Sequence, residues 1–93
     1  MATSKSPPFT EIQGQYLAFI HAYSLVMGQP PAEADMQRFF GVTPPSIHNM
    51  VKTLERLELI TRTPRQARSI AVSVPEDQLP RLRQPIKITG ARY

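Results

Sequence analysis

Between Gly41 and Leu59 apolar side chains return at three- and four-residue steps, at Ile47, Met50, Val51, Leu54 and Leu57. That period gathers them on one face of a helix. Pro45, Asn49, Lys52 and Arg56 fall on the opposite face, with Ser46, His48 and Thr53 at its margins. The helix is predicted to start at Pro44 or Pro45. Thr43 offers a capping hydroxyl just before it, and a proline at the first helical position lacks the donor that would be unpaired there.

Two helical patterns come earlier. Thr10 followed by Gln13 has the form of a capping box, and Ile12, Tyr16, Phe19, Ile20, Tyr23 and Val26 then recur as an inward stripe to about Met27. Gly28 supplies a left-handed stop. After the stiff connector Gln29-Pro30-Pro31, a short helix over Ala32 to Phe40 carries Glu33 and Asp35 in its first turn, where carboxylates favour the positive end of the dipole. Met36, Phe39 and Phe40 are its core candidates. Gly41 to Thr43 then form a tight link to the third helix.

Beyond Leu57 the period shortens toward two. Leu59 to Thr63 and Ser69 to Ser73 are rich in β-branched residues and read as two half-buried strands joined by the polar connection Pro64 to Arg68. The fold class is thus mainly α with a small β-hairpin, a winged helix-turn-helix of three helices plus a two-stranded wing. Residues 1–8 read as a flexible arm, 9–74 as the folded domain and 75–93 as a carboxyl-terminal extension. In that extension Pro75 to Leu79 is expected to form one helical turn and Ile86-Lys87-Ile88 a short strand.

A chain of 93 residues allows one modest core. It has no cysteine, which excludes disulfides, thiolate metal sites and a cysteine nucleophile. No apolar run reaches bilayer length, and the start MATSKSPPF lacks the apolar segment of a signal peptide. A soluble cytoplasmic protein is expected, nucleoid-associated in a bacterium, with no membrane partner. The formal charge is +4 and the pI about 10.0. Lys5 against Glu11, Glu33 and Asp35 leaves residues 1–37 at −2. Residues 38–74 hold Arg38, Lys52, Arg56, Arg62, Arg65 and Arg68 against Glu55 and Glu58, for +4. Positive charge begins where the third helix and hairpin begin, which points to an anionic partner.

A helix with one buried stripe and an outer face of amide, hydroxyl and cationic groups suits the DNA major groove. The candidate DNA-binding residues are Thr43, Pro45, Ser46, His48, Asn49, Lys52 and Arg56, with Arg62, Arg65 and Arg68 on the wing. Asn49 is the expected base reader, because an amide pairs with both N6 and N7 of adenine. The cations are expected mainly to neutralise phosphates. Double-stranded DNA is the expected partner, and a homodimer on paired half-sites follows from the small footprint of one head. An alternative is a winged-helix module that binds an acidic protein through the same basic face. RNA is a weaker choice, since no exposed aromatic cluster is evident for base stacking.

The segments FTEIQGQYLAFI, Gly28-Gln29-Pro30-Pro31, FFGVTPPSIHNMVKTLERLELI and Arg68-Ser69-Ile70 resemble the amino-terminal DNA-binding domain of LexA-type repressors over roughly residues 9 to 72. The resemblance implies a small repressor-like transcriptional regulator. Three departures accompany it. The third helix starts one residue later than in that family, closer to MarR-like spacing, and Glu58 stands where a glycine usually ends the helix. The chain also stops before any self-cleaving peptidase domain, so the family's protease-linked switch is not expected.

Nothing in the sequence calls for a catalyst or a cofactor. Ser46 and Lys52 are six residues apart, about 120° around one helix, and no oxyanion or nucleophile motif accompanies them. His21 and His48 lack a second ligand at metal-binding spacing. Met27, Met36, Met50, Tyr16 and Tyr23 read as core, and Glu33 and Asp35 as helix-start carboxylates. No metal and no small-molecule substrate are therefore expected.

Overall fold

A computed structural model describes residues 8–83 of the chain. Three helices, α1 (Glu11–Met27), α2 (Glu33–Phe40) and α3 (Pro44–Arg56), are followed by two strands, β1 (Ile60–Thr61) and β2 (Ala71–Val72), and a 3-10 turn at Glu76–Gln78. The strands pair antiparallel, Ile60 opposite Val72 and Thr61 opposite Ala71. They are shorter than the alternating patterns that predicted them. One further backbone bond, Ser73 N–H to the Leu59 carbonyl at 2.9 Å, extends the pairing.

Local chemistry sets each helix end. The Thr10 hydroxyl accepts the Gln13 N–H at 3.1 Å while Gln13 Oε1 accepts the Thr10 N–H at 2.9 Å, closing the expected capping box. Gly28 and Gly41 stop α1 and α2 with φ of 75° and 68°. Thr43 caps α3 by accepting the Ser46 N–H. At its far end α3 closes with a six-to-one bond from Leu59 N–H to the Leu54 carbonyl and a bond from Glu58 N–H to the Glu55 carbonyl. Glu58 occupies the left-handed position of this turn at φ 63°, as a residue in the glycine position must.

The core joins Leu17 and Ile20 of α1, Met36 and Phe40 of α2, Ile47, Val51 and Leu54 of α3, and Leu59, Ile60 and Ile70 around the hairpin. Tyr16 stacks on Phe40 with ring centroids 4.1 Å apart, and Phe19 stacks on Phe39. The inward stripe expected for α1 is corrected in one respect. Every residue from Gly14 to Ile20 is buried, whereas Ile12 is 39% and Val26 80% exposed. The middle of α1 is surrounded on several sides, so no single face describes it, and its last turn, with Leu25, Val26 and Met27, overhangs the core. Met27 is therefore exposed, unlike Met36 and Met50, and Leu57 is exposed at the end of α3.

Residues beyond Val74 return along α1. Glu76 lies 3.5 Å from His21, Pro80 lies against Gly14, and Arg83 reaches Glu11 at 3.4 Å, so the segment runs antiparallel to the helix. Leu79 and Leu82 pack on the core. Gln15, only 2% exposed, fastens this strap: Nε2 donates to the Arg81 carbonyl at 2.9 Å, and Oε1 accepts the Arg83 N–H at 2.8 Å. The helical turn expected at Pro75 to Leu79 is present as the 3-10 turn, and the strand expected at residues 86–88 lies outside the described residues.

Candidate nucleic-acid interface

The stripe that buries Ile47, Val51 and Leu54 turns the other side of α3 to solvent. Pro45, Ser46, His48, Asn49, Lys52 and Arg56 are all exposed, and Thr43 is exposed at the cap. A solvent-open hollow of about 520 Å³ runs beside this face, bordered by Asn49, Lys52, Thr53, Glu55, Arg56 and Arg62. Among the described residues no carboxylate lies within ion-pair distance of Lys52 or Arg56. Two uncompensated cations, one and two turns further along the helix, thus follow an amide able to donate and accept. Such a row presents both phosphate-binding and base-edge chemistry along one helix.

The wing is internally fixed. Thr63, Pro64, Arg65 and Gln66 make a tight turn closed by Gln66 N–H to the Thr63 carbonyl at 3.2 Å, with proline second and Arg65 third at φ 63°, as in type II turns. Ser69 ties the loop shut. Its hydroxyl accepts the Thr63 N–H at 2.9 Å, and the Thr63 and Gln66 carbonyls lie 3.2 and 2.9 Å from it.

The three wing arginines differ in their surroundings. Arg65 projects from the tip, exposed and without a carboxylate in reach among the described residues. Arg62 turns back: its Nε donates to Glu55 on α3 at 3.0 Å, and Nη1 lies 3.6 Å from Glu33 on α2. Arg68 turns back on the other flank, its Nη1 3.0 Å from Asp35, 3.2 Å from the Tyr23 hydroxyl and 3.3 Å from the Pro30 carbonyl. His48 also faces Glu33, with Nδ1 3.7 Å from its carboxylate. A cleft of about 510 Å³ separates the wing from the start of α2.

Asp35 joins these parts. It accepts the Ala32 N–H at 2.8 Å, capping α2, and its other oxygen accepts from Arg38 at 2.7 Å. The Ala32 bond holds its carboxyl below the usual carboxylate value, helped by Arg68, Tyr23 and Arg38 and opposed by burial. Reading Glu33 and Asp35 as helix-start carboxylates was therefore incomplete, because both also face wing arginines. Their separation in sequence from Arg62 and Arg68 leaves no local signal of that pairing. Among the described residues no group of three or more His, Asp or Glu side chains is placed to hold a metal ion, and no helix is long and apolar enough to cross a membrane.

A family model described as LexA DNA binding domain matches residues 6–69. The LexA repressor of Thermosipho melanesiensis is 38% identical over 63 residues, which make up 68% of this chain and 32% of that relative. The chain thus spans about a third of the length of the curated relative it matches. The matched region contains all three helices, β1 and the whole basic loop to Ser69.

Proposed function

Because the chain belongs to the LexA DNA-binding domain family, we propose that it binds duplex DNA sequence-specifically, with α3 in the major groove and the wing tip on the backbone, as a transcriptional regulator. The observation that carries this reading is the exposed row of Ser46, Asn49, Lys52 and Arg56, opposite the buried stripe of the same helix. Asn49 supplies the base-specific contact, while Lys52, Arg56 and Arg65 neutralise phosphates. Ser46, His48, Thr43 and Pro45 line the end of α3 that enters the groove first, as the leading end of a recognition helix does. Repression, the activity in the relative's name, belongs to the same proposal, and so does a homodimer that places two heads about one helical turn, ~34 Å, apart.

Selection of bound sequences from a random duplex pool tests the reading directly. A recovered site, with Asn49→Ala costing ~1 to 3 kcal/mol on it and much less on random DNA, supports the assignment. Equal losses on both duplexes remove Asn49 as the reader. A pool that yields no preferred sequence, together with equal retention on DNA and on an acidic protein of matched charge as salt rises, would replace DNA by a protein partner.

A further inference from the structure

A loop spanning residues 62–69 hangs from a ladder of only two residue pairs, with one buried side chain, Ile70, at its root. Two-stranded ribbons this short do not hold their own direction in water. The turn at Thr63–Gln66 and the Ser69 hydroxyl make the loop stiff within itself, but they do not fix its angle to the helices. That angle requires contacts that leave the loop. The arginine side chains at its two flanks provide them, and both end on carboxylates in the first turn of α2, Glu33 and Asp35.

Arg68 makes the denser attachment. Its guanidinium meets three acceptors from three places: the Tyr23 hydroxyl on α1, the Pro30 carbonyl in the connector and the Asp35 carboxylate on α2. Asp35 is held in turn by the Ala32 N–H and Arg38, and its side chain is only 10% exposed. Arg68 adopts φ 56°, a left-handed backbone that costs energy for a residue with a Cβ and that these side-chain bonds hold in place. All three contacts are made by Nη1, and the Arg68 charge is already paired with the Asp35 carboxylate. Arg65, three residues earlier, has no such engagement.

We propose that Arg68 is a positioning residue: it braces the wing against the first turn of α2 so that Arg65 at the tip meets a DNA phosphate. The role of Arg65 rests on the DNA-binding reading above; the brace itself does not. Arg62, held by Glu55 and Glu33, supports the opposite flank of the wing. The basic character of the hairpin is thus divided between one outward charge and two that orient it.

Two measurements on the full chain test this. The first uses no DNA. Backbone amide order parameters from NMR relaxation at Arg65, Gln66 and Ala67, which report reorientation of the loop as a body, are expected to fall in Arg68→Ala while those of Leu17 and Ile20 stay unchanged. Tyr23→Phe, which removes one acceptor of the brace without touching the wing, should give the same pattern more weakly and serves where Arg68→Ala folds poorly. Order parameters falling in wing and core together, or unchanged in the wing of both variants, would overturn the brace.

The second is a double-mutant cycle on duplex DNA. Arg65→Ala should make the slope of log affinity against log salt shallower by ~0.9, and Arg68→Ala should do the same because the tip is no longer presented. Together they should still give ~0.9, whereas a phosphate contact by Arg68 itself would give ~1.8 and refute the proposal. If the unmodified chain binds no duplex, the function reading has failed, and the relaxation experiment alone decides the brace.

Discussion

Replacing Gln15 tests how the returning strap contributes to the fold. Gln15→Ala deletes two hydrogen bonds, at 2.9 and 2.8 Å, that join α1 to the backbone of Arg81 and Arg83. Arg81 and Arg83 are exposed, so their freed carbonyl and N–H regain water and each lost bond costs its net value, ~1 kcal/mol. The expected loss is ~2 kcal/mol, or roughly 10 °C in Tm for a domain of this size. Ending the chain at Val74 removes the same bonds and also uncovers the surface under Leu79 and Leu82, two half-buried leucines worth roughly 1 kcal/mol each. Urea unfolding followed by circular dichroism gives both values. The decisive comparison is Gln15→Ala within the shortened chain, where its partners are gone and its cost should fall to a few tenths of a kcal/mol. The same ~2 kcal/mol loss in both chains would mean that the strap bonds do not stabilise the fold.

Three other outcomes are expected. Glu58→Gly should stabilise the domain by ~1 kcal/mol, because glycine adopts the left-handed turn after α3 without the Cβ penalty; an unchanged urea midpoint would contradict this. The carboxyl of Asp35 is held low in the folded state, so it contributes stability above the ordinary carboxylate value, about 3.9, that is lost as pH falls through the lowered folded value. The Tm gap between the native chain and Asp35→Asn should therefore narrow below about pH 4, and a gap constant down to pH 2 would argue against the pairing. Finally, the full chain should sediment as a dimer and a chain ending at Arg83 as a monomer, since Ile86 and Ile88 alternate with Lys87 in the removed segment; equal masses would take residues 84–93 out of the interface.

The helices were legible because their boundaries are local. Thr10 with Gln13, Thr43 before two prolines, and the glycines at 28 and 41 each act within four residues, so a linear pattern reports them. The outer face of α3 followed for the same reason, as did the strained turn at Glu58. What escaped is what depends on distant segments. Gln15 is a polar residue in the middle of a helix, and its burial makes sense only once a strap 66 residues further along has returned to it. The wing looked uniformly cationic because no acid lies between Leu59 and Val74, yet Glu33, Asp35 and Glu55 reach it from other elements. Composition reported the charge of that hairpin but could not report its direction.

The Gln15 strap also governs how this domain joins a larger polypeptide. It brings Arg83 back to Glu11, so the described segment enters and leaves at the same end of α1. The wing is anchored at the other end through Tyr23, twelve residues or ~18 Å along the helix axis. Both attachment points thus share one corner, remote from the basic tip. A short bridge from Arg83 to Pro8 would close the described chain into a ring. Such a unit can be inserted into a host loop or circularly permuted with the outer face of α3 left free.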